Sequence, residues 1–235
     1  YTNYTGVYKM QATLSLQPTD ADFFDISGQS YTVSAATKVA YAFTFLSALC
    51  MASAIPFTDE PYPLIAIWTI AALLMYTYDA GPQTKRFGMI GNIAISLMVG
   101  AVIMYGAASV SLVQTDLVIF AAVVAFFANL GREIIKDCED MESDEGRKTL
   151  PMRIGLMNAR AVAYLFIMAS MITLGLAHLY GPFEYHQMLF HAPAIFILFS
   201  LNGPLFRGED HKAQQNVRVG MLLGLLAFAV QVSVL

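Results

Sequence analysis

Apolar runs long enough to cross a membrane alternate seven times with short polar breaks. The runs lie near residues 37–56, 62–78, 91–112, 115–131, 158–180, 187–205 and 215–235, and a helix needs roughly 20 predominantly apolar residues to cross about 30 Å of hydrocarbon. Seven membrane-spanning helices are expected, an all-α, polytopic membrane helical bundle. Breaks such as Asp59-Glu60-Pro61 and Gln114-Thr115-Asp116 are short enough to join antiparallel neighbours. Pro56, Pro63, Pro82, Pro151 and Pro182 fall at expected helix ends, where a missing N–H is tolerated. Pro193 and Pro204 fall in or at the end of the sixth run and predict a kinked or irregular helix. Residues 1–32 are polar and hold no run near 18 apolar residues, so the chain divides into an N-terminal segment, 1–32, and a membrane domain, 33–235.

Composition sharpens this picture. Of 235 residues, 57% are hydrophobic and 13% charged, against about 45–50% and about 25% in an ordinary soluble domain. Disorder, collagen and coiled coil are excluded. Cys50 and Cys138 have neither metal-ligand spacing nor a disulfide framework. A net charge of −4 without a basic patch excludes nucleic acid as a partner. If the segments alternate, all 13 Lys and Arg fall on the side of the N-terminus, while Asp59, Glu60, Asp116 and Glu184 occupy the opposite loops. The positive-inside rule then places the loops near 79–90, 132–157 and 206–214 in the cytoplasm.

Between the fourth and fifth runs lies Arg132-Glu133-Ile134-Ile135-Lys136-Asp137-Cys138-Glu139-Asp140-Met141-Glu142-Ser143-Asp144-Glu145-Gly146-Arg147-Lys148-Thr149-Leu150-Pro151. If the fourth helix continues through it, Asp137, Asp140 and Asp144 stand at i, i+3 and i+7, within roughly a 60° arc and about 10 Å of rise. Three carboxylates on one face repel unless something positive sits among them. Hard oxygens suit Mg²⁺, which is readily shared with substrate phosphates. A solvated acidic face is the plainer reading of such a run. The Asp spacing, the adjoining Arg147 and Lys148, and the helix-stopping Gly146 and Pro151 favour a metal and phosphate site.

The stretch from Arg132 to Gly155, with its R-E-I-I-K-D-x-x-D-x-x-x-D core, T-L-P and a glycine four residues later, resembles the second aspartate-rich motif of the UbiA superfamily of intramembrane prenyltransferases. Tyr76, Tyr78, Lys85, Arg86, Gly91 and Asn92 are similar to the family's upstream tyrosine, basic pair and Gly-Asn. The resemblance covers residues 27–235. It implies a helical bundle around a cavity open to the membrane, in which two aspartate motifs hold Mg²⁺ on a prenyl diphosphate. Departure of diphosphate leaves an allylic cation that an acceptor attacks. Carried onto this chain, Asp137, Asp140 and Asp144 are the second metal site. Lys85, Arg86, Lys136, Arg147 and Lys148 are candidates to bind and neutralise the diphosphate, with Asn92 beside them. Tyr76 and Tyr78 suit either facing the cation or the interfacial aromatic belt.

Family members usually have nine spans, and the seven here fit the third to the ninth. On that fit the chain is two spans short. In place of the first motif stands Thr19-Asp20-Ala21-Asp22-Phe23-Phe24-Asp25-Ile26-Ser27-Gly28, whose Asp22 and Asp25 resemble its metal ligands although its Asn and third Asp are missing. The wording of the second motif is most similar to the archaeal branch that alkylates geranylgeranylglyceryl phosphate. The expected activity is therefore Mg²⁺-dependent transfer of a prenyl group, from a donor such as geranylgeranyl diphosphate, to a lipid-like acceptor among membrane lipids. The alternatives are an aromatic acceptor of quinone, haem or chlorophyll type, and a non-catalytic membrane subunit that lost the first motif. His178, His186 and His191 lie at the end away from the aspartates and suit interfacial hydrogen bonding. A retinal protein is excluded because the last run has no lysine.

Overall fold

The computed structural model describes residues 22–24, 30–79, 82–113, 115–142, 148–181 and 183–234. Its helices are α1 (Val33–Ala54), α2 (Pro61–Asp79), α3 (Met89–Ala108), α4 (Asp116–Glu139), α5 (Leu150–Ile154), α6 (Leu156–Leu179), α7 (Met188–Phe199), α8 (Asn202–Phe206) and α9 (Asp210–Val234). Seven stretches have the length and apolar character to cross a membrane, as the sequence pattern predicts. The chain forms two units, 1–54 and 55–235. In the first, β1 (Asp22–Phe24) pairs antiparallel with β2 (Ser30–Thr32), Phe23 opposite Tyr31, ahead of α1. This small pair was not anticipated; its aromatic and β-branched residues favour strand pairing.

The second unit is organised around α4, which packs against α3, α6 and α9. Two features of its sequence permit this. Small residues bring helices close: a Cβ added at Gly131 would meet Ala163 O at 2.8 Å and the Ile167 side chain at 2.6 Å, the close approach by which membrane helices gain packing energy. Its apolar residues also surround the helix, and Leu130, Ile134 and Ile135 are buried with Ala159, Ala163 and Ile167 of α6, Leu201 and Leu205, and Val217 of α9. By contrast Leu165 and Ile172 of α6 are 66% and 63% exposed. Such outward apolar faces suit lipid, since packing against hydrocarbon incurs no hydrophobic cost.

The sixth run is irregular as expected. It divides into α7 and α8 at Ser200 and Leu201, just before Pro204, whose ring disfavours a continuous helix. The fourth differs from expectation: α4 runs on to Glu139, well past residue 131, but stops there. Asp137 is in the last turns of the helix and Asp140 at its end, while Asp144 lies outside the described residues. The helix ends at Asp140, whose N–H donates to Lys136 O at 2.9 Å, before the glycine expected to stop it.

Each end of the unit is tied by polar contacts. At one end the Thr58 hydroxyl donates to Ala108 O at 2.6 Å, and the Val113 N–H donates to Glu60 Oε2 at 3.2 Å. At the other, Arg160 of α6 donates from Nε and Nη2 to both oxygens of Asp210 of α9, at 2.8 and 2.5 Å. This bidentate pair is mostly buried. Asp210→Asn, which loses one acceptor and the charge, is expected to lower stability by about 1.5–3 kcal/mol, measurable as a lower Tm in detergent.

Candidate functional site

The start of α3 meets the end of α4 through buried polar groups. Asn92 Nδ2 donates to Asp137 Oδ2 at 2.7 Å, and both side chains are buried. One turn deeper, Ser96 Oγ donates to Asn92 O at 2.7 Å and Asn129 Nδ2 donates to Ser96 Oγ at 3.1 Å. Asn129, Glu133 and Asp137 stand at i, i+4 and i+8, so they share one face of α4, and all three are buried. Glu133 is paired with the neighbouring Arg132 guanidinium. Asn129 and Ser96 were not singled out in the sequence, and Glu133 only as a letter of the motif, although the four-residue spacing of Asn129, Glu133 and Asp137 was legible there.

The next carboxylates diverge. Asp140, half-buried, caps the helix. Glu139 lies on another face and accepts hydrogen bonds from Gln214 Nε2 at 3.2 Å and pairs with His211 Nδ1 at 2.8 Å. It borders a cavity of about 570 Å³ between α4, α6 and α9, lined also by Cys138, Arg160 and Asp210. Acids adjacent in sequence thus serve different neighbours.

The basic pair sits on a one-turn 3-10 helix, Thr84–Phe87, entered through Gln83 in the left-handed region (φ 52°) and left through Gly88 (φ 56°). Gly88 lies against the far side of the aspartate loop: a Cβ there would stand 2.3 Å from Lys148 O and 3.0 Å from Thr149 Cα. Gly91 in turn lets α3 approach the turn, its added Cβ meeting Lys85 Cα and Thr84 O at 3.0 Å. The basic turn and the backbone of residues 148–149 are thereby held in contact. Lys136 and Lys148 are exposed, which suits a charge that meets a ligand from solvent.

The structure brings Asn92 to Asp137 and the Lys85-Arg86 turn to Lys148. Tyr78 is half-buried, whereas Tyr76 is 55% exposed on α2. Asp144, Arg147 and Asp25 lie outside the described residues, and Asp22 is in the strand pair of the other unit. Among the described residues no three His, Cys, Asp or Glu side chains form a metal-holding group. Asp137 and Asp140 still fit Mg²⁺, which takes one or two carboxylates and completes its shell with water and phosphate oxygens. The Asn92 N–H on Asp137 is the kind of contact that orients a metal-ligating carboxylate.

A family model described as the UbiA prenyltransferase family matches residues 30–230. The chain belongs to that family. Its relatives include digeranylgeranylglyceryl phosphate synthases. That of Methanopyrus kandleri is 38% identical, the match covering 70% of this chain and 60% of the relative. That of Methanothermobacter thermautotrophicus is 30% identical, over 68% and 58%. The match thus spans about three fifths of these relatives' length. A solved structure of digeranylgeranylglyceryl phosphate synthase in membranes shares the fold, with a TM-score of 0.67 at 24% identity over 86% of this chain and 70% of that one.

Proposed function

We propose that this UbiA-family chain serves Mg²⁺-dependent transfer of a geranylgeranyl group from its diphosphate to geranylgeranylglyceryl phosphate, a step in ether-lipid synthesis. The observation that carries it is the buried Asn92–Asp137 pair beside a basic turn docked on the aspartate loop. Asp137 and Asp140, with Asp144 beyond the described residues, hold Mg²⁺. Lys85, Arg86, Lys136, Arg147 and Lys148 bind the diphosphate, Lys and Arg being suited to a compact anion. Mg²⁺ held there would supply positive charge to the departing diphosphate. Tyr78, half-buried on α2, is the tyrosine that suits facing the allylic cation with its ring. The names of the relatives favour the glyceryl phosphate acceptor over an aromatic one. With the basic loops inside, the site opens at the cytoplasmic face.

The test is release of diphosphate from geranylgeranyl diphosphate by the purified protein in lipid nanodiscs with Mg²⁺. Release that depends on geranylgeranylglyceryl phosphate supports the proposal; release only with an aromatic acceptor reassigns the substrate, and none with any acceptor rejects catalysis. Asn92→Ala is expected to raise the Mg²⁺ concentration for half-maximal rate about 10–100-fold, the usual effect of removing a group that orients a metal ligand. A Mg²⁺ titration of the initial rate checks this.

A further inference from the structure

At the end of the bundle opposite Asp137, about 30 Å along α6 from Leu156, a second set of polar side chains is closed off from both solvent and lipid. His178 of α6, His191 of α7, Gln187 of the preceding turn and Gln231 of α9 are between 0 and 5% exposed. Phe183 and Phe228 wall them in, with ring centroids 5.2 Å from His178 and 4.7 Å from His191 respectively. Burying polar groups in this part of a membrane protein is costly, and such groups require partners.

The hydrogen bonds determine which atoms lack one. His178 Nδ1 lies 2.9 Å from Leu174 O, a pure acceptor, so Nδ1 carries the proton. His178 Nε2 is then an acceptor and takes an N–H from Gln231 Nε2 at 3.2 Å. The other N–H of that amide donates to Gln187 O at 3.2 Å. The Gln231 amide cannot be turned over, because its oxygen would then face two acceptors. Gln231 Oε1 therefore remains an acceptor with no protein partner, and neither ring nitrogen of His191 has one. The two histidine rings are 5.4 Å apart, edge to face. One acceptor on Gln231, with one donor and one acceptor on His191, is the complement of a hydroxylic molecule.

We propose that this cluster is a binding site for ordered water, bridging His191 to Gln231 and so linking α7 to α6 and α9. A water donates to Gln231 Oε1 and accepts from the His191 N–H, meeting the two to four partners that a buried water requires. A lipid alcohol offers the same chemistry, but the enclosure of all four side chains favours water. The site is independent of the prenyl-transfer reading.

The experiment compares the whole protein with His191→Phe, Gln231→Met and the double variant in nanodiscs, by thermal unfolding and by a high-resolution structure of the parent. A bridging water predicts density between His191 and Gln231, a Tm lower by about 3 °C or more in His191→Phe, and a double variant that loses less than the sum. Gln231→Met also loses the N–H bonds to His178 Nε2 and Gln187 O and is destabilised with or without a water. An unbridged His191 predicts the reverse for His191→Phe, since replacing an unsatisfied buried polar group by an apolar one removes its desolvation cost. An unchanged or higher Tm in His191→Phe, additive losses, or density continuous with a lipid would each overturn the proposal. Should His191→Phe fail to fold, the parent density decides it.

Discussion

Asp137→Asn is expected to slow prenyl transfer on the order of 10²–10³-fold, the scale of loss when one electrostatic contact to developing charge is removed, while the protein stays folded. The side chain is 8% exposed and takes the Asn92 N–H. Asparagine keeps an oxygen for that hydrogen bond, so packing between α3 and α4 survives. What disappears is the negative charge that holds a hard divalent ion. The matched control is Glu139→Gln, which removes the same charge two residues along α4. Glu139 faces His211 and Gln214, so its loss is expected to leave transfer within about threefold, since only a partly exposed pair is lost. Diphosphate release by both variants, measured across a Mg²⁺ titration, checks the pair. Equal losses would show that the acidic stretch acts only as diffuse charge.

Gly88→Ala is expected to combine two penalties. At φ 56° and ψ −108°, outside the regions open to L-residues, an alanine costs about 1–3 kcal/mol. Its Cβ would also sit 2.3 Å from Lys148 O, and forcing atoms into a packed contact costs about 1–3 kcal/mol. Relief requires the basic turn and the aspartate loop to part by about 1 Å, a displacement that can lower catalysis about 10²-fold. Gly155→Ala separates the effects. Gly155 has φ 83°, but nothing lies within 4 Å of its added Cβ, so only conformational strain applies. The expected pattern is a lower Tm for both variants and a large loss of transfer for Gly88→Ala alone. Thermal unfolding and initial rates on the same preparations test it.

Part of the candidate site was legible in the sequence. The aspartates from Asp137 onward stand out because charged residues are rare in this chain, whereas Lys85, Arg86 and Asn92 were picked out by their resemblance to the family's upstream motif. Helical periodicity also linked Asp137 with Asp140. It could not foresee that α4 ends at Glu139, because helix termination depends on which backbone groups find tertiary partners. Asn129 was overlooked for the opposite reason. It lies in a run otherwise apolar enough to be read as one span, and only the facing Ser96 and Asn92 reveal a polar seam.

The amino-acid sequence by itself determined the seven apolar spans, the gathering of Lys and Arg in alternate loops, and the crowding of acidic and basic residues into the stretch after the fourth span. These follow from transfer free energies of single side chains and from local helical geometry. Only the tertiary structure decided which neighbour each polar group serves. Asp137 turns to Asn92, Glu139 turns to His211, and Gly88 admits the carbonyl of Lys148. His178, His191 and Gln231 converge from three helices. The physical reason is that hydrogen bonds and close contacts act over a few ångströms between residues 45 to 72 positions apart in the chain, a proximity that hydrophobic periodicity does not encode.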